Sequence, residues 1–174
     1  VKLFSLELLK NDMARPRFKN LDPGIRHRIL ETAAKAFAAR GFDGISLNKL
    51  IERLGMSKGS FYYYFDDKAD LFTTVADFAW AIVLPVDELD LDTYNAENYW
   101  STLEGLMQEA RARVRANPWL VGFTRLMYAP PDITGVREAL AGKFAEAKKW
   151  QGELIRHGQQ FGTVRADLPV ELLQ

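Results

Sequence analysis

Lys58, Gly59 and Ser60 stand consecutively, and Tyr62 and Tyr63 follow within one helical turn. A lysine can meet a phosphate or the acceptor edge of guanine. A glycine carries no side chain, so its backbone can approach a groove closely. A serine hydroxyl donates or accepts, and phenol hydroxyls can reach phosphates while their rings pack. Lys68 stands where a further helix begins, and free N–H groups there also favour a phosphate. This is chemistry for holding a polyanion and reading its bases. Phe61, Tyr64 and Phe65 lie at core spacing, and Tyr62 and Tyr63 are compatible with either packing or contact.

Catalytic chemistry has little to work with. Without cysteine there is no thiol nucleophile, disulfide or Cys-based zinc site. The two histidines, His27 and His157, are far apart, and neither belongs to a His-Glu-x-x-His motif. Asp87 to Asp92 is an acidic run without the Gly and ligand offsets of a calcium loop, and reads as a solvated connection. No catalytic residue, metal site or cofactor is expected.

The elements that must position Lys58 to Tyr63 are legible. Asp22-Pro23 caps and opens a helix in which Ile25, Ile29, Ala33, Ala36 and Phe37 recur at helical spacing, and Gly41 closes it. Ser46 caps a second helix with Leu47, Leu50, Ile51 and Leu54 on one face. Gly55-Met56-Ser57 is a turn of a few residues, and Ser57 caps a third, very short helix. Two helices joined by a tight Gly-containing turn form a helix-turn-helix. Asp67 with Asp70 caps a helix running towards Leu84, and Pro85 ends it. Long helices are predicted from about Ala96 to Ala116, Pro118 to Tyr128 and Ile133 to Phe161, with another opening at Val170. The expected class is all-α: a three-helix DNA-binding domain over 22–66, then a helical bundle over 67–174. Residues 1–21 read as a flexible basic arm, either a solvated tail or a strand-touching extension, with Met13 an alternative natural start.

Charge follows the same division. Met13 to Phe72 holds 11 Lys/Arg against 7 Asp/Glu, whereas Thr73 to Gln174 holds 10 against 14, so the zero net charge hides a basic front and an acidic back. No apolar run reaches membrane-spanning length and no secretory signal is evident, so a cytoplasmic location is expected.

Ile29-Leu30-x-x-Ala33-x-x-x-Phe37-x-x-x-Gly41, then Ser46, then Gly55-Met56-Ser57-Lys58-Gly59-Ser60-Phe61-Tyr62-Tyr63-Tyr64-Phe65-x-x-Lys68-x-x-Leu71 resembles the signature of the TetR family. The resemblance covers roughly residues 25 to 72. Leu50-Ile51 and Leu54 replace the smaller residues common there, and Tyr63 stands where many members have His. It implies a homodimeric, mostly repressing transcription factor whose DNA affinity a small molecule switches. The expected DNA-contacting set is Arg17, Ser46, Asn48, Lys49, Ser57, Lys58, Gly59, Ser60, Tyr62, Tyr63 and Lys68. Two-fold pairing of the reading helices implies a palindromic double-stranded operator. The family dimerises through helices beyond Gln174, so Val170 to Leu173 is expected to be the first turn of one, and the chain to be incomplete at its C-terminus.

The second half carries the aromatic residues of a ligand-binding core. Trp100, Met107, Phe123, Met127 and Trp150 are the expected pocket wall, and an apolar or aromatic effector the expected ligand. The alternative is a DNA-binding protein of this fold with no effector, controlled by a protein partner.

Overall fold

Asp22 begins the first long helix as its sequence dictates: its carboxylate accepts from the backbone N–H groups of Gly24 at 2.9 Å and Ile25 at 3.1 Å. The computed structural model describes residues 16–83 and 90–174, and all its regular structure is helical. A short helix α1, Pro16–Lys19, precedes α2, Pro23–Arg40, and α3, Leu47–Arg53. Then come α4, Lys58–Tyr64, and α5, Lys68–Val83. A 3-10 turn, Leu91–Thr93, leads to α6, Tyr99–Ala116; α7, Trp119–Tyr128; α8, Thr134–Gln160; and a last 3-10 turn, Val170–Leu172.

The expected caps form. Ser46 Oγ accepts from Lys49 N, and Ser57 Oγ accepts from Ser60 N at 3.0 Å. Asp67 Oδ1 accepts from Ala69 N and Asp70 N, while Asp70 reaches back to accept from Asp66 N at 2.8 Å. Gly41 and Gly55 both have positive φ, 72° and 66°, where a Cβ would be strained. Gly55 therefore allows α3 to end and α4 to begin within a few residues.

The basic lead, where it is described, is seated rather than loose. Phe18 is 1 % exposed, its ring 4.8 Å from that of Phe65 and 5.9 Å from that of Tyr64. A single apolar residue in a charged stretch has no periodicity to betray it, yet burying one phenyl ring is worth about 1.5–3 kcal/mol, which offsets part of the cost of ordering a helical turn. The remainder of the expected arm, residues 1–15, the expected helix end at 84–85 and the first half of the acidic run, 87–89, lie outside the described residues.

The helices of the expected DNA-binding and sensor domains share one core. Phe37 of α2 and Phe72 of α5 have ring centroids 5.2 Å apart, and Phe72 lies 5.2 Å from Phe123 of α7. A Cβ placed on Gly122 would sit 3.1 Å from both the Cβ and the carbonyl oxygen of Ala38, so α7 crosses α2 almost backbone to backbone. Packing thus runs straight through the expected domain boundary between 66 and 67. A second, smaller cluster of Leu91, Tyr94, Tyr99 and Leu154 ties the start of α6 to the end of α8.

Two expected helix starts change. Helix α6 begins at Tyr99 because Asn95 and Asn98 close a local turn: Asn95 Oδ1 accepts from Glu97 N and Asn98 N, and Asn98 Oδ1 accepts from Asn95 N. The segment from Val170 forms a 3-10 turn that folds back on α8 instead of opening a helix. Val170 is buried there, and the Gln174 amide donates to the Lys148 carbonyl at 2.5 Å.

Candidate nucleic-acid interface

Helix α4 is divided into an inner and an outer face. Phe61 and the following Phe65 are fully buried. Lys58, Gly59, Ser60, Tyr62 and Tyr63 all face solvent, Tyr62 and Tyr63 at 51 % and 49 % exposure. The buried pair fixes the rotation of the helix, so the exposed five form one continuous surface. Among the described residues a Cβ on Gly59 would find only Ser57 Oγ, at 3.8 Å, so none of them requires glycine there.

The neighbouring elements add to this surface. The Arg17 guanidinium lies 4.6 Å from the Tyr63 ring centroid, bringing α1 and α4 together in a contact their sequence separation hides. A stacked guanidinium is held in place while its outer N–H groups remain available to phosphate. Ser46, Asn48 and Lys49 are exposed at the start of α3. Ser57 and Ser60 share a hydroxyl contact of 2.9 Å, so Ser57 is engaged mainly in capping.

Lys68 departs from expectation. Its ammonium donates to the carbonyls of Phe42 at 2.8 Å and Ile45 at 3.2 Å, and lies over the Phe42 ring. The first N–H groups of α5 meanwhile serve Asp67. The side chain is thus turned inward, pinning the loop that delivers Ser46 to α3, and the helix start carries carboxylates where a phosphate would need donors. Alternating solvent exposure could not reveal this, because the carbonyls it satisfies lie 23 and 26 residues earlier.

The five expected wall residues do not converge. Phe123 and Met127 are packed in the main core, and Trp150 lies against the second cluster. Trp100 is 58 % exposed and Met107 is also exposed. Helix α6 turns Tyr99, Leu103 and Leu106 inward instead, one residue out of phase with the expected face. Among the described residues no helix is long and apolar enough to cross a membrane.

The profile for "Bacterial regulatory proteins, tetR family" matches residues 29–75, which contain α3, α4 and the buried side of α2. The chain is 28 % identical over 154 residues to the HTH-type transcriptional repressor Rv1474c of Mycobacterium tuberculosis, covering 86 % of this chain and 74 % of that one. Its fold is similar to the crystal structure of PfmR from Thermus thermophilus, a TetR family transcriptional regulator, with a TM-score of 0.64 and 21 % identity, over 83 % of this chain and 77 % of that one. It is also similar to FadR from Bacillus subtilis in complex with stearoyl-CoA, with a TM-score of 0.62 and 17 % identity, over 84 % and 77 %.

Proposed function

Since this chain belongs to the TetR family and is a DNA-binding transcriptional regulator, we propose that it represses by pairing as a homodimer on a palindromic operator and is released by a small apolar or aromatic effector. The observation that carries the reading is the exposed set Lys58, Gly59, Ser60, Tyr62 and Tyr63 on a helix whose opposite side is anchored by Phe61 and Phe65. Gly59 lets α4 lie deep in the major groove, Lys58 and Ser60 meet base edges, and Tyr62, Tyr63 and Arg17 hold flanking phosphates. The protein works by binding, in the cytoplasm, and no catalytic step is assigned to it.

Helix α5 is the coupling element. It starts beside the DNA-facing loop and runs into the sensor, where Trp80 packs edge-on against Phe144 of α8 at 5.4 Å. Asp77 of α5 pairs with Lys143 of α8, both less than a fifth exposed. An effector acts only by binding one arrangement of these helices more tightly than the other. The fold relative bound to stearoyl-CoA supports the view that this architecture can hold an acyl-type ligand. The outward-facing Trp100 and Met107 favour a second reading, control by a protein partner seated on α6.

Selection of duplexes from a random pool tests the core of the proposal. Enrichment of palindromic sites, followed by their release with a small molecule, is the expected result. Absence of any sequence enrichment would refute specific binding. Enrichment without release by any screened compound, together with release by a protein that binds α6, would favour the second reading.

A further inference from the structure

We propose that Arg40, Lys49 and Arg53 form a phosphate seat on the flank of the helix-turn-helix. An open-sided cavity of about 410 Å³ lies there, lined by Arg40, Ile45, Lys49, Glu52 and Arg53. It sits between the end of α2 and the outer face of α3. Three cations face one carboxylate, so the wall is positive.

Among the described residues the cations of this cavity are not engaged elsewhere. Some basic side chains elsewhere have protein partners: Lys35 pairs with Glu31, Arg137 with Asp132, Lys143 with Asp77 and Arg165 with Asp167. The charged ends of Arg40, Lys49 and Arg53 make no hydrogen bond or ion pair among the described residues. Lys49 and Arg53 are one turn apart on α3, a spacing at which like charges repel. An anion between them relieves that repulsion.

The seat is also built rigidly. A Cβ on Gly44 would collide with the Arg40 carbonyl oxygen, so the loop after α2 folds tightly against the end of that helix and holds Arg40 near α3. Lys68 secures the same loop from the other side through the Phe42 and Ile45 carbonyls. A planar guanidinium pair with an ammonium suits the tetrahedral oxygens of a phosphate, which can accept from several donors at once. Glu52 at the wall lowers the net positive charge of the seat, so its neutralisation should strengthen phosphate binding.

The phosphate can come from the DNA backbone or from a free phosphorylated molecule. The DNA source rests on the reading that α3 and α4 dock on DNA. Lys49 follows Asn48 and lies one turn from the capping Ser46, so the seat borders that surface and would extend the footprint past the groove.

The test uses the full chain with Arg40→Gln, Arg53→Gln and Glu52→Gln. Helical circular dichroism and melting temperature establish that each variant folds. The salt dependence of binding is then measured on a selected duplex and on an unrelated one. For the DNA source, each Arg→Gln change lowers the log–log salt slope on both duplexes, by up to about 0.9, the value for one whole phosphate, while Glu52→Gln tightens binding to both. For the free source, the slopes stay unchanged, and inorganic phosphate or pyrophosphate raises the melting temperature of the parent protein but not of the Arg variants. Unchanged slopes with no phosphate-dependent shift overturn the seat. Failure of the parent protein to prefer any duplex would instead overturn the operator reading.

Discussion

The Lys68 ammonium lies 4.1 Å from the Phe42 ring centroid and donates to the carbonyl of the same residue at 2.8 Å. One side chain thereby fixes both the ring and the backbone of the loop between α2 and α3. Lys68→Met is expected to destabilise the protein by about 1–3 kcal/mol, the range for losing charged hydrogen bonds to partly buried carbonyls. Urea unfolding measures this. The salt slope of DNA binding by the folded variant should stay unchanged; a fall of about one unit would restore Lys68 to a phosphate contact.

Gly59 separates folding from recognition. An added methyl group meets no close neighbour among the described residues, and alanine is the better helix former by about 1 kcal/mol. Gly59→Ala should therefore hold or raise the melting temperature, and Gly59→Val should remain folded. Both should weaken operator binding, Val by roughly tenfold or more, about 1.4 kcal/mol. An anisotropy titration in which the Val variant binds like the parent protein would contradict close approach of this backbone to DNA.

The Tyr94 and Tyr99 rings pack 6.1 Å apart at the far end of the molecule. The Tyr99 hydroxyl donates to the Leu154 carbonyl at 3.1 Å, whereas the buried Tyr94 hydroxyl has no partner among the described residues. Tyr99→Phe should cost about 1 kcal/mol and Tyr94→Phe should be neutral or stabilising. Equal losses in thermal unfolding would show that Tyr94 has a partner.

Burial pushes both phenols above their ordinary value, with the neighbouring Tyr99 adding to the effect on Tyr94. A raised folded-state value means that the folded chain holds these protons more tightly than the unfolded one. The associated stability is complete below the ordinary phenol value of about 10 and is lost as the pH rises through the folded-state values. Phenolate absorbance should then show Tyr94 and Tyr99 ionising late, together with loss of helical signal. Early ionisation of all six tyrosines in a still-helical protein would contradict the packing of this cluster.

At Gly158, a Cβ would collide with Val164 Cγ2 and fall 2.7 Å from the Tyr99 ring and hydroxyl. Gly158→Ala forces α6 and α8 apart and is expected to destabilise by about 1–3 kcal/mol, more than its gain in helix propensity. A rise in melting temperature would show that the two helices can separate freely.

Much of the DNA-side architecture was written in local chemistry. Asp22, Ser46, Ser57 and Asp67 start helices because their side chains reach N–H groups only two or three residues ahead, and Gly41 and Gly55 mark reversals that depend on their own φ. The exposed face of α4 followed from the spacing of Phe61 and Phe65. Tertiary structure decided what depends on partners distant in sequence. It turned Lys68 inward onto Phe42 and Ile45, buried Phe18 against Phe65, and set Arg17 on Tyr63. It also joined Phe37, Phe72 and Phe123 into one core across the expected domain boundary. Helix α6 shows the limit most clearly: aromatic residues occur on both of its faces, and only packing against α8 selected Tyr99, Leu103 and Leu106 over Trp100 and Met107. Local signals act through backbone groups within a turn, whereas the choice of face belongs to whichever helix arrives from elsewhere in the chain.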